Sequence, residues 1–536
     1  MHDILNVDEI LRLLASGLVA SGWRATAVAL ACCCRKFEDP TLDALWKEQK
    51  RLSPLLNTFP KGILDKASKD LVSRQLYVVY SPLNCLAGKI FKKMPTTAEW
   101  ARFTKYSLLM RELKLDLSEE PIPSNVLSVL QLRTLSEPLL PNLRLLDLKK
   151  AHANIIPFIP LFLSPNTTHI AIQFAPAPPV VMVAVMMINL PKLCPHAQKI
   201  IFQPLPLGSA VTNAASEMLL TCNLDALRFF HVDSPLTEEA RRVVFQLPNL
   251  RGLWTVFTEP VLLPEVSLPN LTTLDIEYHR DHDWLRGFRG TTFSKLTEVT
   301  FHAECQQVGD FLEAFEDFAL ATSASAVLSR FKFHTSLAWD PNYYSLLAFK
   351  QLKELNLEFC CHDDCFSCID DEILVTLAQA MPKLEILKLG KAPCEVLGDV
   401  TIHGLIALAH HCRDISKLRV HFRTNSLTEA LADEPVPSPQ GPCLPREDCA
   451  LTSLEVGKIP ILKRHRHAVA FALLRIFPRL CDIEYEDDEW EYVADMIKLF
   501  RKIDSVVHRS GKVHQPYLVI HGDIPTVSTL PGDGGA

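Results

Sequence analysis

The chain has 536 residues, 22% charged and 48% hydrophobic, with a net charge of −7 at pH 7. It is too long for one compact core, and its mild acidity argues against nucleic acid as the main partner. Sixteen cysteines are too thinly spread for a small disulfide scaffold, so free thiols in a reducing cytosol or nucleus are expected.

The opening MHDILNVDEI lacks a basic region followed by an apolar run, so no secretory signal is expected. Residues 4–50 then differ from everything after them. Val7, Ile10, Leu11, Leu14 and Leu18 fall at helical spacing and form one apolar stripe. Asn6 is a candidate N-cap with Glu9 three residues on, and Gly17 and Gly22 punctuate the end. A second helix is predicted over Ala25–Cys34, with Cys32, Cys33 and Cys34 as small apolar packers. A third is predicted to begin at Asp39-Pro40 and to present Leu42, Leu45 and Trp46. So much apolar surface on so short a module predicts docking onto the rest of the chain or onto a partner.

The runs VDEIL, AVALACCCRKF and TLDALWKE resemble the F-box, with matches at Glu9-Ile10, Arg35, Phe37, Leu45 and Trp46. The next residues, KRLSPLLNTFP, are similar to the segment joining F-box to repeats in many fungal F-box proteins. The resemblance implies binding to the Skp adaptor, and through it to a cullin, in a ubiquitin ligase whose substrate is held by the repeats. The expected adaptor contacts are the apolar residues Val7, Ile10, Leu11, Leu14, Leu42, Leu45 and Trp46. The alternative is a plain helical cap over the first repeat.

From Leu143 to Tyr485 a pattern L-x-x-L-x-Φ (Φ apolar) recurs, as in LPNLRLLDL, LPNLTTLDI, FKQLKELNL, MPKLEILKL and FPRLCDIEY. Its second apolar position falls at 146, 170, 200, 227, 253, 274, 299, 331, 355, 387, 418, 454 and 483, in steps averaging about 28 residues. One such unit cannot bury its apolar face alone, so the units must stack. Because strand side chains alternate faces, the last two apolar residues of each copy point inward and the one between them points to a concave surface. Helical spacing precedes some strands, as at Ile373, Leu374, Leu377, Ala378 and Met381, and at Ile402, Leu405, Ile406, Ala409 and Cys412. The most apolar stretch, Val180–Leu190, is too short to cross a bilayer, so no membrane partner is expected.

The predicted fold class is therefore α/β: a small all-α F-box-like module, then an irregular leucine-rich-repeat solenoid with a parallel sheet inside and helices outside. The expected organisation is a module over 1–50, a helical linker or cap over 51–107 and the solenoid over 108–505. A Pro- and acid-rich loop is expected near 427–449, and a C-terminal segment ending in a flexible tail over 506–536.

Candidate chemistry is sparse. CCHDDCFSC at 360–368 contains Cys365 and Cys368 at C-x-x-C spacing, but no second pair exists to complete a zinc site; no metal and no cofactor are expected. KRHRH (463–467) and EYEDDEWE (484–491) read as solvated charged edges. No nucleotide, hydrolase or metalloprotease motif occurs, so the protein is not expected to be an enzyme. The concave candidates for holding a protein substrate are Arg228, Trp254, Asp275, Lys332, Asn356, Lys388 and Arg419. A large ring at an outward position makes Trp254 the natural hot spot. The basic members, with Lys417, give way to Glu455, Asp482 and Glu484, a bipolar groove suited to a protein or charged peptide. The function so read is substrate recognition for a Skp–cullin–F-box ligase; the alternative is a repeat scaffold with no ligase link.

Overall fold

The computed structural model describes residues 8–66, 89–133, 138–206, 208–257, 268–278, 288, 293–303, 318–319, 327–335, 343–359, 369–390, 399–426 and 449–509. Helices α1 (Asp8–Ala20), α2 (Arg24–Cys33) and α3 (Arg35–Lys47) open the chain and pack on one another. α3 starts at Arg35 rather than at the Asp39-Pro40 pair, because Cys34 is extended (φ −157°, ψ 141°) and breaks the helix there. Pro40 therefore lies inside α3 and removes one intrahelical bond, but it is buried together with Thr41.

β1 (Glu48–Gln49) follows α3 directly. The linker holds α4 (Ser53–Leu56), an antiparallel pair β2 (Leu64–Lys66) and β3 (Lys89–Phe91), and α5 (Thr97–Ser107). A capping box between Thr96 and Glu99 starts α5. Phe59 stacks on Phe103 (5.2 Å) and meets Trp100 edge-on (5.1 Å), an aromatic cluster that seals the N-terminal end. Glu120, 7% exposed, accepts from the amides of Leu52 and Ser53 (both 2.9 Å) and ties the linker to the solenoid.

The repeats supply β4 (Glu112–Asp116), β5 (Leu145–Ala151), β6 (His169–Phe174), β7 (Lys199–Gln203), β8 (Phe229–Pro235) and β9 (Gly252–Phe257). They continue through β10 (Thr273–Tyr278), β11 (Glu298–Ala303), β12 (Arg330–Thr335), β13 (Glu354–Phe359), β14 (Ile386–Leu389), β15 (Lys417–Arg419), β16 (Ser453–Gly457) and β17 (Asp482–Tyr485). With β1 they form one 15-stranded sheet in chain order, parallel throughout, as in a leucine-rich-repeat solenoid. Its helices are α6 (Ser124–Arg133), α7 (Val180–Leu193), α8 (Ser209–Thr221), α9 (Glu238–Val244), α10 (Asp371–Ala380), α11 (Ile402–His411), α12 (Arg466–Ile476) and α13 (Asp488–Arg509).

The inward row runs unbroken from Leu146 through Ile170, Ile200, Phe230, Leu253, Leu274, Val299, Phe331, Leu355, Leu387, Leu418 and Leu454 to Ile483, none more than 5% exposed. One predicted position, 227, is out of register. Phe230 and Val232 are the inward pair of β8, and Leu227 is the earlier leucine of that repeat. In LRFFHV two apolar alternations overlap, and burial chose the later one. Between repeats, Asn142, Asn166, Asn249 and Asn270 each donate to a backbone carbonyl of the preceding repeat, at 2.8 to 3.1 Å. The P-N spelling shared by these turns is thus a stacking device. At the C-terminal end Trp490 is fully buried and its indole N–H donates to Ile459 O at 2.6 Å. α13 runs through Arg509, past the expected boundary at 505. Of the expected loop, 427–448 lies outside the described residues, as do 360–368 and the tail 510–536.

Candidate protein-binding surfaces

Two surfaces contain the predicted contacts. The first is the three-helix module. Its apolar stripe divides between inside and outside. Leu11 (3% exposed) and Leu45 (8%) are core residues of the module, with Ala15 and Ala27. Ile10 and Leu42 are half-buried. Trp46 is covered by the Tyr106 ring at 4.7 Å and belongs to the joint with α5. Val7 lies outside the described residues. Of the predicted contacts, therefore, Leu11, Leu45 and Trp46 are structural and only Leu14 (47% exposed) is open. Spacing finds an apolar face but does not say which neighbour covers it. Open apolar surface is instead provided by Leu13 (73%), Leu14, Trp23 (62%) and Val28 (50%). Cys32, Cys33 and Cys34 are all exposed, a correction to their reading as packers. Arg12 pairs with Asp8 (2.9 Å) and Asp43 (2.6 Å), locking α1 to α3.

The second surface is the concave face of the sheet. Pairing across strands sets one outward row as Lys114, Asp147, Ala171, Ile201, His231, Trp254, Asp275, Thr300, Lys332, Asn356, Lys388, Arg419, Glu455 and Glu484. Trp254, Asp275, Lys332, Asn356, Lys388 and Arg419 take the predicted places. Arg228 does not: it precedes β8, and His231 takes its row position.

The face divides into tracts. From β6 to β9 the apolar outward residues Ala171, Ile201, Phe229 and Trp254 stand among the polar ones His169, Gln173, Lys199, Gln203, His231 and Asp233. Phe229 is 36% exposed and lies across Gly252, where a Cβ would stand 2.6 Å from its ring. Lys199 Nζ sits 5.5 Å from the same ring. The His231 ring meets Trp254 edge to face. The nitrogens His231 Nε2 and Trp254 Nε1 are enclosed without hydrogen-bond partners. Burial, with the Lys199 charge adding to it, holds the His231 pKa down at about 3.

From β10 to β16 the face is ionic, and its charges pair across strands rather than separating into two poles. Lys332 lies between Glu298 (3.9 Å) and Glu354 (3.2 Å). Glu358 meets His334 (2.9 Å) and Arg419 (3.3 Å), and Arg419 and Lys388 both reach Glu455. The His334 hydrogen bond, with Asn356 and the charges of His334 and Arg419, lowers Glu358 to about 2. The predicted basic half is thus neutralised by acids on the neighbouring strands, positions the repeat spacing lists but does not pair. The His302 and His334 rings stack at 4.6 Å. Burial opposes protonation of His302, but its bond to Asp275 and the charges of Asp275, Glu277 and Glu358 outweigh it and raise its pKa.

The two charged runs also meet. Arg466 and Lys463 pair with Glu489, and Tyr492 hydrogen-bonds His467, so KRHRH and the acidic run clamp α12 to α13. Among the described residues no cluster of three or more metal-ligating side chains occurs, and no helix is long and apolar enough to cross a membrane.

No protein-family model matches the chain, and no curated protein matches it. Among solved structures it is similar to a chain of the yeast Rad7–Elc1 complex, at 15% identity over 63% of this chain and 74% of that one, with a TM-score of 0.34. It is also similar to a chain of the TLR13–ssRNA13 complex, at 15% identity over 72% of this chain and 58% of that one, with a TM-score of 0.36. Likenesses at this level do not place the chain in a family.

Proposed function

We propose that this chain is a non-catalytic protein receptor of a Skp–cullin–F-box ubiquitin ligase. In this reading the N-terminal module docks on the Skp adaptor and the concave face holds a protein substrate. The observation that carries it is the set of large apolar side chains Leu13, Leu14, Trp23 and Val28, left open on a module with an F-box-like sequence. Large exposed apolar side chains grouped on one small module mark an interaction site. β1 and Trp46 fix that module to the sheet, so a bound adaptor would stand in a set relation to the concave face.

The test is co-purification of the full chain with a Skp adaptor. Leu13→Asp with Leu14→Asp should abolish it while the melting temperature of the solenoid stays unchanged, since both side chains are outside the core. Retention of the adaptor by the double variant overturns the reading. One observation favours the plainer alternative, a scaffold with no ligase link. α3 leads straight into β1, which pairs with β4, as a terminal cap would. Failure of the wild-type chain to bind any Skp adaptor, with binding through the concave face intact, selects that alternative.

A further inference from the structure

The cations of the sheet fall into two groups. Lys114, Arg330, Lys332, Lys388 and Arg419 each meet a carboxylate. The cations around Phe229 do not. Lys199 stands beside Phe229 in register, and Arg228 directly precedes it. Arg251 is the ladder neighbour of Arg228, its amide donating to the Arg228 carbonyl at 2.7 Å. Arg228 and Arg251 are exposed and Lys199 is half-buried. Among the described residues, none of these three pairs with a carboxylate, and the Lys199 ammonium lies over the Phe229 ring at 5.5 Å. Their charge is felt two strands away. The His169 pKa is lowered first by burial and then by Lys199, with Arg228 adding to it against the opposing charge of Glu112. Positive charge is therefore unanswered at the corner where Phe229 is 36% exposed.

We infer that this corner, at the edge of the concave face where β7, β8 and β9 begin, holds an acidic protein segment with an apolar anchor. The anchor, aromatic or aliphatic, lies on Phe229, and flanking Asp or Glu carboxylates reach Arg228 and Arg251. The arginine fork takes a carboxylate through two parallel hydrogen bonds. Neighbouring strands are about 4.8 Å apart, so both arginines serve one short segment. Like charges directly across a ladder are unfavourable, and a carboxylate between them relieves that. The apolar anchor supplies most of the affinity, and the charges supply discrimination and a faster encounter. Gly252 shapes the corner: an added Cβ would stand 2.6 Å from the Phe229 ring and displace it. A nucleic-acid strand fits less well. Along the described strands beyond β9 the next lysines or arginines, Arg330 and Lys332, are already paired, so no basic track continues for a phosphate backbone to follow. This inference rests on the concave face being the binding face; it does not depend on the adaptor.

The experiment is selection of a random peptide library displayed on phage against the purified full chain, followed by affinity measurement on the best enriched synthetic peptide. Enriched sequences should place an apolar residue within about three positions of Asp or Glu, a spacing one extended segment can span. Arg228→Gln with Arg251→Gln should weaken that peptide at least about tenfold, and should abolish the acidic preference in a repeated selection. Arg228→Glu with Arg251→Glu should turn the preference toward Lys or Arg. Phe229→Ala should remove the requirement for the apolar residue. Circular dichroism and melting confirm each fold; if Phe229→Ala unfolds, the two arginine double variants, whose side chains are exposed, still decide. Wild-type affinity should fall as salt rises from about 0.05 to about 0.5 M. Enrichment of basic or uncharged sequences overturns the inference, as does no enrichment by the folded chain. So does an acidic preference that survives the Arg228→Gln, Arg251→Gln double variant. Oligouridine that binds more tightly than the peptide, and is lost in the same variant, overturns it in favour of nucleic acid. Loss of adaptor binding with normal peptide selection sinks only the ligase reading, and the reverse sinks only this one.

Discussion

Leu355 and Asn356 are adjacent residues with opposite surroundings. Leu355 is fully buried between repeats, and truncation to alanine should cost about 2–5 kcal/mol. Asn356 faces the concave side but is only 8% exposed, and it donates to Glu358 at 3.2 Å. Asn356→Ala should cost about 1 kcal/mol or less. Urea denaturation of the two variants checks the register, since a larger loss at 356 would reverse the two faces of β13. The buried histidines give a pH prediction. Burial, aided by Lys199 at His231 and by Arg419 at His421, lowers their pKa values to about 3 and about 4 from 6.5. As pH falls below the unfolded value, the unfolded chain binds protons at these sites and the folded chain does not. Their stability contribution is therefore intact above about pH 6.5 and is lost progressively toward about pH 4. His302 works the other way, since its raised pKa favours the folded state at lower pH. The melting temperature should fall from about pH 7 to about pH 5, and His231→Gln should flatten that slope. A melting temperature that climbs on acidification would mean that His302 dominates.

Element ends show what neighbours supply. Asp371 begins α10, yet its carboxylate accepts from the amides of Thr401 (2.7 Å) and Gly404 (3.1 Å) at the start of α11, one repeat later. Thr401 Oγ1 also accepts from His403 at 3.2 Å. A Cβ at Gly404 would lie 2.5 Å from Asp371 Oδ1 and 3.2 Å from Leu374. Gly404→Ala and Asp371→Ala should each destabilise by about 1–2 kcal/mol. The double variant should cost less than their sum, because both remove one cap; strict additivity in a double-mutant cycle would dissociate the glycine from the cap. α10 and α11 themselves were legible. Leu374, Leu377 and Ala378, and Leu405 and Ala409, recur at helical spacing and are buried. The cap was not, because Asp371 and Thr401 lie 30 residues apart and no local pattern links them.

At the scale of the whole molecule, stability is a chain of interfaces between neighbouring repeats, and the ends need covers. α13 is the C-terminal cover, burying Trp490, Val493, Ala494 and Ile497 under the last strands. Trp490→Ala should cost about 3–5 kcal/mol locally, including the bond to Ile459. The loss should stay near that end. Hydrogen exchange should accelerate in β16 and β17 and remain nearly unchanged in β5 and β6; uniform acceleration would show that the array unfolds as one unit.

The repeated leucines by themselves determined the solenoid. A period near that of one strand plus one return segment leaves each unit with an apolar face that only a neighbour can cover, so stacking follows from burial alone. The same alternation placed Trp254, Asp275, Lys332, Asn356, Lys388 and Arg419 on the concave row. Tertiary structure decided what those residues meet. It shifted the predicted Arg228 position to His231 because Phe230 and Val232 pack better inward. It paired the basic row with Glu298, Glu354, Glu358 and Glu455, which are distant in sequence and adjacent only across strands. It also turned Leu11 and Leu45 inward and left Leu13 and Trp23 open. Periodicity reports which side chains avoid water, whereas contact, charge pairing and exposure depend on which other segment arrives to cover them.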